Sequence, residues 1–310
     1  MDIIRLTPVF KQMIWGGSRM REEYGYDIPG DDTGECWAIS AHQSGDSTVS
    51  GGEYDGMKLS KLWEERRDIF GDYDSDRFPL LTKIIDAKAD LSIQVHPDDT
   101  YASEHENGSL GKMECWYILD CDPDATIIVG HNAKTKEELD AMVHEGRWTE
   151  LLREIPIKKG DFFQIAPGTV HAIKGGTLIL ESQQNSDITY RLYDYDRLQN
   201  GKPRELHLEK SLDVINVPYK EPEKELDKLS KVNPWLSGLQ HCERYDVWHG
   251  VLKGSEHFVN DRPFMLCSVI EGSLKLGDEE LKKGDHFIMP KSFKECEMSG
   301  MAEFIFCAPV

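Results

Sequence analysis

The chain has 310 residues, of which 39% are apolar and 30% charged, and its formal net charge is −20. This composition suits a globular protein with one large or two ordinary domains and a real core. The acidic balance argues against nucleic acid and anionic membrane surfaces as partners, because both require a basic patch. A small anionic ligand remains compatible, since a few local cations can hold it.

The seven cysteines (Cys36, Cys115, Cys121, Cys242, Cys267, Cys296 and Cys307) are odd in number, and no two form a C-x-x-C pair. Free thiols in a reducing compartment are therefore expected, not a disulfide framework. Met1 to Arg5 opens no apolar run of signal-peptide length, and no stretch approaches the ~20 apolar residues of a membrane span. A cytoplasmic location is the expectation.

In chain order, residues 3–50 read as short extended pieces. Trp15-Gly16-Gly17 and the run from Gly34 to Ser40 suggest tight backbone around aromatic anchors, a core-packing feature. Residues 58–75 are predicted helical, with Leu59, Leu62, Trp63, Ile69 and Phe70 at helix-like spacing. Pro79 to Ile85 reads as a buried strand and Asp86 to Asp90 as a turn. Leu91, Ile93 and Val95 then alternate with Ser92, Gln94 and His96, which predicts a strand ended by Pro97. Residues two apart on a strand share a face, so Gln94 and His96 point the same way.

Asp98 to Gly111 is polar and aperiodic and reads as a loop. Lys112 to Leu119 is a predicted strand carrying Glu114 and Trp116 on one face, and Thr126 to Val129 is another. Residues 135–153 are predicted helical around Leu139, Met142, Val143, Leu151 and Leu152, with an interruption at Gly146. From 155 to 193 strands return. Residues 219–234 are highly charged and read as a linker. The tail from about Leu236 is strand-rich. An internal repeat links the two halves. Ile157 to Pro167 resembles Leu281 to Pro290, each with a Gly-Asp turn, an apolar strand and a proline, 124 residues apart. The second copy lacks the Pro-Gly-x-x-His that closes the first.

Four residues read as candidate metal ligands: Gln94, His96, Glu114 and His171. Two imidazoles with a carboxylate and an amide form a mixed N/O set. Such a set suits zinc, and also iron, manganese, cobalt or nickel. A strand bearing Gln-x-His followed by Pro167-Gly168-Thr169-Val170-His171 resembles the ligand arrangement of cupin barrels. A second cluster, Glu181, Asp187 and Arg191, combines carboxylates that can move protons with a guanidinium that can hold phosphate or stabilise an oxyanion. The same pattern also suits a surface salt-bridge ladder. The other nine histidines, His207 and His286 among them, read as surface or structural residues.

Four motifs carry a closer resemblance: Leu91 to Asp99, Gly111 to Tyr117, Pro167 to Ala172, and Gln183 to Arg191. Together with Pro8-Val9-Phe10-Lys11 and Trp15-Gly16-Gly17, they resemble the type I mannose-6-phosphate isomerases in their short bacterial form, along essentially the whole chain. The resemblance implies a mainly β protein of two cupin (jelly-roll-like) β-barrels with a small helical part in the N-terminal half. Residues 1–218 would be the metal-binding catalytic domain, 219–234 the linker, and 235–310 a second, metal-less cupin.

The resemblance also implies one zinc ion per chain on Gln94, His96, Glu114 and His171. Arg191, Lys112, Glu181 and Asp187 would be catalytic, and Ser92 and Lys83 would hold the phosphate. The implied reaction interconverts mannose 6-phosphate and fructose 6-phosphate through a cis-enediol, in a monomer or homodimer without nucleic-acid or membrane partners. The base stays open among Lys112, Glu181 and Asp187. A non-catalytic sugar-phosphate-binding cupin and a metal-dependent cupin oxygenase are the rival readings. Two family features are absent: Gly111 stands where longer relatives carry a histidine, and the large helical insertion is missing.

Overall fold

The computed structural model describes residues 3–310. They are mostly strand with a few short helices, as the sequence implies. The strands form two compact units. One takes the segment ending at Val9 with Cys36–Lys83 and Glu223–Val310, and the other takes Phe10–Glu35 and Ile84–Pro222. The passage from Pro222 to Glu223 falls inside the charged 219–234 stretch. The units are not divided at that point alone, because the N-terminal strand Ile4–Thr7 pairs antiparallel with His286–Met289, Ile4 opposite Ile288. Among the described residues no helix is long and apolar enough to cross a membrane. All seven cysteines are free.

The unit from Phe10 to Pro222 holds the predicted site. Its main strands lie in two sheets, neither of them a closed barrel. One sheet runs Leu152–Pro156, Thr126–His131, His171–Ile173, Ile93–Val95, Tyr190–Tyr193. The other includes, in order, Phe162–Ile165, Glu114–Cys121, Thr177–Gln184, Leu80–Ala87, of which residues 84–87 lie in this unit, and Val9–Gly17. Trp116, Ile118, Ile165 and Ile179 of the second sheet cluster with Ile127, Val129 and Ile173 of the first. This is the inner core of a sandwich.

The outer face of the first sheet is also apolar. Ile93, Val95, Ile128 and Ala172 pack there with Leu139, Met142 and Val143 of the helix Lys136–His144. The alternation on Ile93–Val95 therefore sends the aliphatics outward to the helix and Gln94 inward. The 135–153 helical stretch is split as expected: a helix ends at His144, Gly146 has φ +66°, and a short helix Trp148–Leu151 follows. The predicted 58–75 helix is shorter, Leu59–Glu65 followed by a 3₁₀ turn at Arg67–Phe70.

The expected loop from Asp98 to Gly111 needs correction, because it contains the helix Asp99–His105. That helix has one buried apolar residue, Ala102, and so shows no hydrophobic period. It is set instead by a cap: the Asp98 carboxylate accepts from the Tyr101 N–H at 2.8 Å. The excursion closes on itself. Asp99 Oδ1 accepts from Gly111 N–H at 2.7 Å, and Lys112 N–H donates to the Pro97 carbonyl at 3.0 Å.

The other unit contains an eight-stranded sheet with three long strands, Tyr245–Val259, Met265–Leu276 and Glu295–Pro309. Here the internal repeat becomes geometric. Gly160 and Gly284 have φ of 88° and 90°, a conformation open to glycine. Asp161 Oδ2 accepts from Lys158 N–H at 3.0 Å, and Asp285 Oδ2 from Lys282 N–H at 2.8 Å. Past the turn the copies diverge in chemistry: Ile165 pairs with Glu114, whereas its counterpart Met289 pairs with Met265. The second copy thus carries a thioether where the first carries a carboxylate.

Candidate metal centre and active site

Strand pairing assembles the site from residues far apart in sequence. His171 and Arg191 are the neighbours of Gln94 on its two flanking strands. Directly paired residues share a face, so His171, Gln94 and Arg191 form one row across the sheet. His96 lies two residues beyond Gln94 on that face. The opposing sheet supplies Glu114 and, through the pairing of Glu181 with Trp116, Glu181.

Three side chains converge. The Nε2 atoms of His96 and His171 are 3.1 Å apart. Glu114 Oε2 is 3.3 Å from His96 Nε2, and Glu114 Oε1 is 3.4 Å from His171 Nε2. His96 is 1% exposed, and Glu114 and His171 are 0% exposed. Ligand atoms ~2.1 Å from a tetrahedral metal lie about 3.4 Å from one another. Each imidazole meets its own Glu114 oxygen near that spacing, and the two imidazole nitrogens lie slightly closer together. His171 Nδ1 is 2.8 Å from the Thr169 carbonyl, which can only accept. The proton therefore sits on Nδ1, and Nε2 turns a lone pair toward Glu114 and His96. Gln94 completes the group, its Nε2 3.3 Å from His171 Nε2. An amide turned over presents its oxygen at that place. The residues present fit a divalent cation.

Electrostatics agree with that assignment. Burial, with help from Lys112, pushes the His96 imidazole down to about 3, and burial lowers His171 as well, so both rings are neutral. Burial would raise the Glu114 carboxyl, but Lys112 and the two histidines outweigh it and hold it well below the ordinary carboxylate range. The Lys112 ammonium lies 2.8 Å from Glu114 Oε2 and 3.2 Å from His96 Nε2. Burial disfavours its charge, yet Glu114 and Glu181 prevail and push it up to about 12.

Residues 3–124 match the family Phosphomannose isomerase type I, catalytic domain, and residues 239–309 match Mannose-6-phosphate isomerase, cupin domain. A mannose-6-phosphate isomerase of Bacillus subtilis is 53% identical over 304 residues, covering 96% of each chain. The chain belongs to the type I mannose-6-phosphate isomerase family. A mannose-6-phosphate isomerase of Streptococcus mutans is 47% identical, covering 94% of this chain and 93% of its own. The crystal structure of a mannose 6-phosphate isomerase from Bacillus subtilis superposes with a TM-score of 0.94 at 49% identity, covering 99% of both chains.

As an enzyme of the mannose-6-phosphate isomerase family, the chain places most of its sequence-predicted site residues in one unit. Glu181 is buried, and its Oε2 accepts from Trp116 Nε1–H at 3.0 Å. Ser92 is buried, with Oγ 3.5 Å from Gln94 Oε1. Arg191 is half-buried, and its Nη1 donates to the Glu205 carbonyl at 2.8 Å. Asp187 is exposed, in the turn before the Arg191 strand. Lys83 belongs to the other compact unit, where it is buried with its ammonium 4.9 Å from the Trp37 ring centre.

Sequence reasoning missed the supports of this isomerase site. Trp116 holds Glu181 and sets its ring 5.5 Å from that of His171. Its place on the Glu114 face was the available signal. Thr169 acts through its carbonyl, which no side-chain motif reveals. His207, read as structural, contacts Arg191 through the backbone.

Proposed function

We propose that this chain interconverts mannose 6-phosphate and fructose 6-phosphate through a cis-enediol, with zinc held by His96, Glu114, His171 and Gln94. The convergence of three buried side chains that can ligate a metal, one of them (His171) in the same row as Arg191, carries the reading. A divalent ion bound there supplies Lewis-acid stabilisation of the sugar oxygen that becomes negative.

In the open-chain aldose a base takes the proton from C2. The electron pair forms the C1–C2 double bond while O1 gains a proton. Return of a proton to C1 and loss of the O2 proton completes the ketose. Lys112 and Glu181 are the proton-handling groups that lie buried on the site, whereas Asp187 stands in an exposed turn. Arg191 offers positive charge to the enediolate or to the substrate phosphate. Ser92 is the proposed phosphate contact within the unit that holds the site. In a chain of net charge −20, Arg191 and Lys112 give the site the local cations that a dianionic substrate requires. We further propose that the enzyme works in the cytoplasm as a monomer or homodimer.

The test is a coupled assay for fructose 6-phosphate formed from mannose 6-phosphate, run as purified, after chelation and after zinc addition. Activity that falls with chelator and returns with zinc is expected. Absence of turnover with zinc still bound would overturn the isomerase reading in favour of a sugar-phosphate-binding protein, and oxygen uptake would favour an oxygenase.

A further inference from the structure

Arg191 is held from one side by a short strap. Its backbone N–H donates to His207 Nδ1 at 3.1 Å, and its carbonyl accepts from His207 N–H at 2.8 Å. Its Nη1 donates to the Glu205 carbonyl at 2.8 Å, while its buried Nε–H has no hydrogen-bond partner. The strap is anchored in turn by Arg204. That guanidinium forks onto Asp194, with Nε 2.8 Å from Oδ2 and Nη2 2.5 Å from Oδ1. Asp194 also accepts from Arg197 Nη2 at 2.6 Å. One buried carboxylate therefore ties both ends of the hairpin formed by Leu198–Gln199 and Lys202–Pro203. Asp194 itself lies three residues beyond Arg191.

Two features separate this arrangement from an ordinary surface ion pair. Asp194 is 4% and the Arg204 side chain 11% exposed, so the fork is screened little by solvent. Two guanidinium groups, Arg204 and Arg197, also crowd one carboxylate, and their charges add to burial in lowering the Arg191 pKa against the opposite pull of Asp194 and Glu205. The Glu205 carbonyl holds the guanidinium itself, and the two His207 bonds hold the backbone beneath it. A planar fork fixes the strap's direction as a point charge does not.

We propose that Arg204 is a positioning residue for the isomerase reaction: its fork onto Asp194 fixes the strap 204–207, and the strap aims the Arg191 guanidinium into the site. The inference rests on the reading of Arg191 under Proposed function. In the full-length, metal-loaded enzyme, Arg204→Gln should lower kcat by about 10- to 100-fold, the scale of a ~1 Å misplacement, with KM within about two-fold. Arg204→Lys, which keeps the charge but not the fork, should fall between. In an Arg191→Ala background, Arg204→Gln should change kcat/KM by less than about two-fold, because nothing remains to be positioned.

The Arg191 Nε–H resonance, assigned by its loss in Arg191→Ala, should shift or broaden in Arg204→Gln. Losses that multiply in the double variant, or an unmoved Arg191 resonance in Arg204→Gln, would overturn the proposal. Full activity in Arg191→Ala would instead refute the catalytic role of Arg191, and the resonance alone would then decide whether Arg204 positions it. Should Arg204→Gln lack a cooperative thermal transition, Arg204→Lys takes its place in every comparison.

Discussion

Replacing Glu114 by glutamine keeps the shape of the side chain and removes its charge. The Lys112 ammonium, 5% exposed and 2.8 Å from Glu114 Oε2, then loses the anion nearest to it. Breaking a buried ion pair from one side costs about 3–5 kcal/mol, because the remaining charge stays desolvated. Glutamine still offers one oxygen to Lys112, which places the expected loss at the lower end, about 3 kcal/mol. At roughly 2–4 °C per kcal/mol, Tm should fall by about 6–12 °C. Thermal melts of chelated wild type and chelated Glu114→Gln isolate this term from metal binding. Adding Lys112→Met removes the stranded charge and should restore most of the loss, since neutralising both members of a buried pair is often nearly neutral. Metal content, measured on unchelated protein after dialysis, should drop in Glu114→Gln because a charged ligand is gone. A Glu114→Gln chain that melts with wild type when both are chelated, or a double variant no more stable than the single, would refute the ion-pair reasoning. Retained stoichiometric metal would show that binding does not need the Glu114 charge.

His96→Ala should lose metal and activity together, and an active metal-free variant would sink the proposed centre. Arg191→Ala should keep its metal but lose about 10²–10³-fold in turnover, the usual cost of removing a donor to a developing oxyanion. Near-normal kcat/KM would take Arg191 out of the mechanism. Burial would raise the Asp194 carboxyl, but the hydrogen bonds from Arg204 and Arg197 outweigh it and hold it below its ordinary value. The stability it contributes is present above the unfolded value, about 3.9, and is lost as pH falls through the lower folded value. Acid titration of stability should therefore be less steep in Asp194→Asn than in wild type below about pH 4, and parallel curves would contradict the depressed carboxyl.

Local rules made part of this protein legible in one dimension. Gln94 and His96 had to share a face because a strand alternates with period two, and aliphatic Ile93 and Val95 had to take the other. The Gly-Asp turns at Gly160 and Gly284 were readable because glycine's left-handed backbone and an Asx hydrogen bond act within four residues. Gly146 broke its helix for the same local reason. The helix Asp99–His105 escaped notice because its stability lies in a cap and in closure onto Lys112, neither of which leaves a hydrophobic period.

Partnership across the sandwich is of a different kind. Glu114 meets His96 and His171 because two sheets pack face to face, and Lys112 meets His96 because the 98–111 excursion returns to Pro97. The row His171, Gln94, Arg191 depends on strand order, which brings residues 77 and 97 positions from Gln94 to its two sides. The clamp of Arg197 and Arg204 on Asp194 depends on how a hairpin folds back. Which residues could ligate, titrate or turn was legible from the chain, since those are properties of side chains and of a few successive dihedral angles. Tertiary structure alone decided which of them face one another, because proximity across sheets is set by strand order, register and packing summed over the whole unit.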